Sequence, residues 1–180
     1  AQQRVRREIE ADLARAVPMQ RLIQGDVGSG KTVVAALAAA QAIDAGCQAA
    51  LMAPTEILAE QHFGRIVQWL APLGVQVAWL VGKLKASEKR AAQLAAASGA
   101  AQLVIGTHAL IQEAVQFANL GLAIVDEQHR FGVAQRLRLR SRAGAQEGTP
   151  HLLMLSATPI PRTLAMSYFA DLDVSVIDEL

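Results

Sequence analysis

The sequence predicts an α/β fold: a mostly parallel sheet with helices on both faces. Short apolar runs recur along the 180 residues, at 21–24, 48–53, 75–81, 102–105, 122–125, 152–155 and 174–177. Several runs are apolar at successive positions, as expected for strands covered on both faces. Helical patterns lie between them, at 32–45, 56–70, 86–97 and 162–169. Alternating strands and helices of this kind indicate a parallel sheet.

The composition favours one well-packed domain. Hydrophobic residues make up 52% of the chain, enough for one buried core in 180 residues but cramped for a second. The formal net charge of +1 identifies no partner by itself. The single cysteine, Cys47, cannot form an internal disulfide, which fits a reducing cytoplasm, although such a residue is more often simply a small buried side chain. We therefore expect a cytoplasmic protein.

The most apolar segment, residues 33–43, is too short to span a bilayer. Polar residues and a glycine close it, so we expect a buried helix rather than a membrane anchor. The sequence begins at Ala1, with no initiator methionine and no basic-then-apolar signal segment. We expect it to be a segment of a longer protein.

The octet GDVGSGKT follows the first apolar run and precedes an alanine-rich helical pattern. Its spacing, G-x-x-x-x-G-K-[ST], is that of a phosphate-binding loop. Glycines let the backbone N–H groups turn toward phosphate oxygens, and the following helix adds its positive end. Lys31 is expected to contact the β- and γ-phosphates, and Thr32 to coordinate Mg²⁺. The predicted nucleotide-binding residues of the octet are Gly25, Asp26, Val27, Gly28, Ser29, Gly30, Lys31 and Thr32.

Two adjacent carboxylates end the apolar run at 122–125. Acids at the end of a buried strand need a cation or a proton-transfer task, because a buried unpaired charge is costly. We expect Asp126 to hold Mg²⁺, either as a direct ligand or from the outer coordination shell. We expect Glu127 to orient and deprotonate the attacking water. The octet and the acid pair together predict hydrolysis of a bound nucleotide.

The string DEQH at 126–129 is a variant of the DExH box, and with the octet and SAT at 156–158 it resembles superfamily 2 helicases and translocases. Longer strings are similar to the RecG family of bacterial ATP-dependent DNA helicases: PMQRLIQGDVGSGKT, LMAPTEILAEQH, GTHAL, VDEQHRFGVAQR and SATPIPRTLAM. The similarity covers the whole chain and points to that family's first RecA-like motor domain. It implies a RecA-like P-loop NTPase fold for residues 1–180, with ATP and Mg²⁺ as cofactors.

A second family, the transcription-repair coupling translocases of the Mfd type, has a similar motor. It favours a glutamate where this chain has Gln128 and a different residue near Ser29, so we prefer the RecG family. A RecG-type parent would add a wedge domain and a second RecA-like domain. It would remodel branched DNA, such as forks and Holliday junctions, in repair and recombination at the bacterial nucleoid. A coupling translocase would carry an RNA-polymerase-binding module instead.

The resemblance also implies roles for individual residues. It makes Gln2 the adenine-reading glutamine of the family's Q motif, the alternative being an ordinary glutamine on a helix surface. His129, Ser156 and Thr158 would couple the state of the γ-phosphate to the DNA-facing surface. The catalytic residues are then Lys31, Asp126, Glu127 and His129.

Three loops beyond strand ends are implied to follow a DNA backbone: Pro54-Thr55, Gly82-Lys83 and Gly106-Thr107-His108. Hydroxyls, lysine and backbone N–H groups suit phosphate and read no sequence, so binding should be sequence-independent and salt-sensitive. The alternative is that these are ordinary turns, with Thr55 as the N-cap of the helix that begins at Glu56.

A basic segment follows the acid pair, with arginines at 130, 136, 138, 140 and 142. It is either a solvated helix face or a surface that docks DNA or another domain. A nucleotide-gated docking module without turnover is a second class of function, although such a module has no use for a base beside Asp126. The family's arginine finger belongs to the second RecA-like domain. We therefore expect residues 1–180 on their own to fold and to bind ATP weakly, but not to unwind DNA.

Overall fold

A computed structural model of the chain describes residues 1–111, 115–126, 149–159 and 172–178. In these ranges a seven-stranded sheet forms the centre of the fold. Its strands are β1 Gln20–Gly25, β2 Gln48–Met52, β3 Val77–Leu80, β4 Leu103–Gly106, β5 Leu120–Asp126, β6 His151–Ser156 and β7 Asp173–Ile177. Each predicted apolar run is therefore confirmed as a strand.

Four α-helices lie in the described ranges: α1 Gln2–Leu13, α2 Lys31–Asp44, α3 Glu56–Leu70 and α4 Ala86–Ser98. The last three match predicted helical patterns, whereas α1 is absent from the predicted elements. Short 3₁₀ turns follow α3 and β4, at Ala71–Leu73 and His108–Ile111. The helix predicted at 162–169 lies outside the described residues.

The strand order is β3-β4-β2-β5-β6-β1-β7, and every pairing among these strands is parallel. The predicted α/β class is therefore confirmed. The chain passes from β1 through α2 to β2, yet β5 and β6 lie between those two strands. Parallel strands end at the same edge of a sheet, so the carboxyl ends of β5, β6 and β1 lie side by side.

Apolar residues cover the sheet on both faces. Neighbouring residues of a strand point to opposite faces. In β1, Leu22 and Ile23 accordingly belong to two different clusters of buried residues, and Val125 and Ile124 of β5 divide in the same way. This two-sided burial explains why the runs are apolar at consecutive positions rather than at alternate ones.

Small side chains let α2 lie close to the sheet and to α1. Five alanines of α2 are buried together with Val34, at positions 35, 36, 38, 39 and 42. The expected helix at 33–43 is therefore confirmed, but it is buried along one side only, since Val33 and Leu37 are 40% and 44% exposed. Among the described residues, no helix combines the length and the apolar character needed to cross a bilayer.

The end of β4 passes so close to β3 that only glycine fits at position 106. A Cβ atom on Gly106 would lie 1.8 Å from the carbonyl oxygen of Leu80. The glycine of α3 is in the opposite situation, because a Cβ atom on Gly64 would meet nothing within 4 Å.

We expect Gly106→Ala to lower the free energy of unfolding by about 3 kcal/mol, because two hydrogen-bonded strands must move apart. Gly64→Ala is the matched control and should raise it by about 0.5–1 kcal/mol, since alanine is the better residue inside a helix. Urea unfolding followed by circular dichroism measures both. Equal effects of the two substitutions would contradict the close approach of β3 and β4.

Candidate active site

The loop of residues 25–32 joins the carboxyl end of β1 to the first turn of α2. Gly28 and Gly30 have φ angles of 86° and 90°, in the left-handed region that favours glycine. Gly30 is the N-cap of α2, and within the described chain no side chain caps this helix end. The N–H groups of its first turn therefore face the loop without an intrahelical acceptor, as in an anion-binding helix terminus.

The ammonium group of Lys31 lies within this loop. Its Nζ atom donates to the carbonyl oxygens of Gly25 at 2.5 Å and Asp26 at 2.8 Å, and lies 3.5 Å from Ser29 Oγ. A lysine bound to carbonyl oxygens can exchange them for phosphate oxygens, which carry a full negative charge. Three of the predicted residues of the octet, Gly25, Asp26 and Ser29, thus surround the ammonium group of a fourth.

Asp126 ends β5 at the same edge of the sheet as this loop. The strand register aligns Asp126 with Leu155 of β6, and Leu155 with Ile23 of β1. Two strand spacings, roughly 10 Å, therefore separate the backbones of Asp126 and Ile23. Gly25 follows Ile23 by two residues, so the loop begins just beyond the level of the carboxylate. Asp126 and the start of the octet therefore lie at the same edge of the sheet, with β6 between them.

His62 of α3 holds this carboxylate. His62 Nε2 lies 2.5 Å from Asp126 Oδ2, and the two side chains are 10% and 11% exposed. An ionised carboxylate can only accept hydrogen bonds, so His62 donates. Sequence reasoning missed His62. The available signal was a polar residue on the buried face of α3, in the helical spacing of Ala59, His62, Ile66 and Leu70.

The first helix brings Gln2 to the loop. Its Nε2 atom donates to the carbonyl oxygen of Ser29 at 2.8 Å. A cavity of about 520 Å³ lies beside this contact, in the size range of small-molecule sites. Its lining comes from the start of α1, the loop and the end of β7, and includes Gln2, Gln3, Val27, Gly28 and Ile177.

Buried polar contacts fix α1 against the sheet. Arg21 of β1 donates to Asp12 Oδ2 at 2.8 Å, to Glu8 Oε2 at 3.3 Å and to Ser175 Oγ of β7 at 2.6 Å. The Arg21 side chain is only 11% exposed. The position of Gln2 at the loop therefore depends on an arginine of β1 that holds the far end of the same helix through Asp12.

Two of the predicted DNA-contact loops lie next to each other. Lys83 Nζ is 3.0 Å from Glu56 Oε2, which joins the loop after β3 to the start of α3. The hydrogen bond to Glu56 raises the pKa of the Lys83 ammonium. Thr55 accepts from the Leu58 N–H at 3.3 Å and is the N-cap of α3, the alternative role foreseen for it. Both Thr55 and Lys83 remain exposed.

The third loop turns partly inward. Thr107 is only 2% exposed, and its hydroxyl has no hydrogen-bond partner within the part of the chain that the structure describes. His108 is exposed. Of the side chains in this loop, it is therefore His108 rather than Thr107 that faces solvent.

Ser156 and Thr158 lie at the end of β6, between the octet and Asp126. The Ser156 hydroxyl donates to the carbonyl oxygen of Thr158 at 3.0 Å and accepts from the Thr158 N–H at 3.2 Å. The two residues therefore form one hydrogen-bonded turn at the centre of the site. The remaining predicted residues, Glu127, His129 and the arginines at 130–142, lie outside the described residues.

The chain belongs to the DEAD/DEAH box helicase family, whose sequence model matches residues 2–167. It is 62% identical over all 180 residues to the ATP-dependent DNA helicase RecG of Escherichia coli K12, and 59% identical to that of Haemophilus influenzae. It spans 26% of the length of each of these relatives. The predicted resemblance to RecG is therefore confirmed.

Solved structures agree with this assignment. A structure of RecG bound to a three-way DNA junction superposes with a TM-score of 0.83 at 47% identity, over 99% of this chain and 23% of that one. The Hef helicase domain of Pyrococcus furiosus superposes with a TM-score of 0.66 at 19% identity, over 96% of this chain and 38% of that one, which shows the fold alone.

We expect Arg21→Met to lower the free energy of unfolding by about 3 kcal/mol, because it leaves the buried Asp12 of α1 without its buried partner. ATP binding should weaken as well, since Gln2 loses its fixed position. Arg15→Met is the matched control. Arg15 contacts the same Asp12, at 3.6 Å, but its side chain is 68% exposed.

Thermal unfolding and titration with a fluorescent ATP analogue measure both variants. The Arg15 substitution should change the free energy of unfolding by less than about 0.5 kcal/mol. Indistinguishable behaviour of the two variants would show that the Arg21 contacts do not hold α1.

Proposed function

We propose that the chain is the ATP-binding motor half of a DNA-dependent ATPase that remodels branched DNA. One observation carries the proposal: the octet after β1 and Asp126 at the end of β5 flank β6 at one edge of the sheet. P-loop enzymes need this pairing, because a phosphate cradle and a metal-holding carboxylate must face the same phosphates. The similarity to RecG, one member of which is bound to a three-way DNA junction, supports branched DNA as the substrate.

The residues at this edge fit Mg²⁺ and ATP. A helix N-terminus capped by Gly30, the ammonium of Lys31, a hydroxyl and a carboxylate form a donor set suited to phosphate and to a hard cation. Thr32 and Asp126 would hold the metal, and Lys31 with the loop backbone would hold the phosphates. Bound Mg²⁺ would offset the charge that builds on the phosphate oxygens.

We assign adenine recognition to Gln2, at the start of α1. Gln2 lies against the loop through Ser29 and lines the cavity of about 520 Å³. An amide side chain both donates and accepts, so it can pair with the edge of one base and discriminate against another. The contact with the loop favours the adenine-reading role over that of an ordinary surface glutamine.

Hydrolysis requires a base beyond Asp126, and we assign this role to Glu127. In the same scheme Ser156 and Thr158 connect the nucleotide to the DNA-facing loops, because their turn lies between the octet and Asp126. His129 is assigned to the same coupling. Thr55, Lys83 and His108 are the exposed side chains proposed to meet the DNA backbone.

The chain spans about a quarter of its RecG relatives, so the proposal extends to segments outside it. We propose that the parent protein carries a wedge domain and a second RecA-like domain, and that it acts at the bacterial nucleoid. An arginine finger from the second domain would be worth ~10³ or more in rate. Identity of 62% to RecG over the full 180 residues favours this parent over a coupling translocase.

We expect Glu127→Gln in the parent protein to lower the DNA-stimulated kcat for ATP by about 10² or more, because a general base of the water is lost. ATP affinity should stay within about threefold, since Lys31, Thr32 and Asp126 are intact. Asp44→Asn is the matched control, an exposed acid at the far end of α2 that should leave both values unchanged.

Steady-state turnover on a three-way junction gives kcat, and a binding titration gives the affinity. Turnover that does not respond to Glu127→Gln would contradict the hydrolytic function and favour a nucleotide-gated docking module.

A further inference from the structure

We propose that His62 is a positioning residue for the metal-holding carboxylate: its imidazole fixes Asp126 in the orientation that binds Mg²⁺. This inference rests on the proposed function, because it assigns to Asp126 the metal role given there. The juxtaposition that carries it is the 2.5 Å contact between His62 Nε2 and Asp126 Oδ2, made by two side chains that are nearly withdrawn from water.

The position of His62 is one that packing alone would give to an apolar residue. Ala59, Ile66 and Leu70 lie on the buried face of α3, and His62 lies on the same face and is buried with them. A buried polar side chain costs free energy unless a hydrogen bond compensates it. The bond to Asp126 provides that compensation, and it ties α3 to the end of a strand 64 residues further along the chain.

A helix-mounted donor is suited to holding a metal-binding carboxylate. The carboxylate of an aspartate rotates about two bonds, and an oxygen bonded to a fixed donor loses that freedom. The imidazole is itself held, because α3 packs on α2 and β4 and is capped at Thr55. Partners of this kind behind metal ligands typically change metal affinity by 10- to 100-fold when removed.

A merely structural role for the pair predicts something different. If His62 and Asp126 only joined α3 to β5, removing the imidazole would lower the unfolding temperature and leave metal affinity unchanged. Metal affinity measured beside stability therefore separates the two roles.

The test uses the full-length parent protein with a non-hydrolysable ATP analogue and Mn²⁺ as the metal probe, with unbound Mn²⁺ read by electron paramagnetic resonance. His62→Met removes the donor at similar volume and should raise the Kd for Mn²⁺ about tenfold or more. His62→Gln keeps an N–H donor of similar reach and should stay within about threefold of the original protein. The Mg²⁺ concentration that gives half-maximal ATPase activity should likewise rise more in His62→Met than in His62→Gln.

Ile66→Ala is the matched control. Ile66 lies one turn further along the same buried face, so its truncation lowers the unfolding temperature through the core. It should leave the Kd for Mn²⁺ unchanged. An unchanged Kd in His62→Met, or an equal rise in Ile66→Ala, would overturn the inference.

Two further results keep this test separate from that of the proposed function. If the unsubstituted parent protein binds no Mn²⁺ with the ATP analogue, the proposed function itself is contradicted. If it binds Mn²⁺ and the His62 substitutions do not change the Kd, only this inference is contradicted. If His62→Met does not fold, His62→Asn replaces it, because its shorter amide does not reach Asp126. The His62→Asn substitution should then raise the Kd for Mn²⁺ about tenfold, whereas His62→Gln should not. Equal Kd values for these two variants would overturn the inference.

Discussion

The insertion of β6 between β1 and β5 is the constraint on which the rest of the site depends. Hydrogen bonds along β6 hold the octet and Asp126 at one edge of the sheet and at nearly the same height. They set a separation of roughly two strand spacings, about 10 Å, between elements that are a hundred residues apart in sequence. The turn of Ser156 and Thr158 occupies the space between them because it ends the strand that separates them.

Two helices complete this edge, one with its first residue and the other with its middle. The first brings Gln2 to the loop at its start and is fixed through Asp12 and Arg21 near its other end. The third begins at the exposed Thr55 cap, beside the Glu56–Lys83 pair, and brings His62 to Asp126 from its middle. A single rigid helix thus spans from a loop assigned to DNA to the carboxylate assigned to the metal. In both helices a buried charged or polar contact acts together with apolar packing to set the position that the chemistry needs.

Much of this could be read from the sequence, for physical reasons. Burial on both faces makes strands apolar at consecutive positions, and the octet has few other uses at that spacing, so the strands and the cradle were predictable. The first helix was not, because only Val5, Ile9 and Asp12 of it are buried and its apolar stripe is narrow. The spacing of α3 could indicate that His62 is buried, but not that it contacts Asp126, because that partner lies 64 residues away. The inward turn of Thr107 likewise depends on tertiary packing that no local pattern records.

The central claim is that the octet and the end of β5 hold one metal ion between them, and a double-mutant cycle tests it most directly. Thr32→Val, Asp126→Asn and the double variant are compared for Mn²⁺ affinity in the complex of the parent protein with a non-hydrolysable ATP analogue. Two ligands of one ion are coupled, so the double variant should bind Mn²⁺ within about threefold of the weaker single variant. A double variant weakened by the full product of the two single effects would show independent sites and contradict the account.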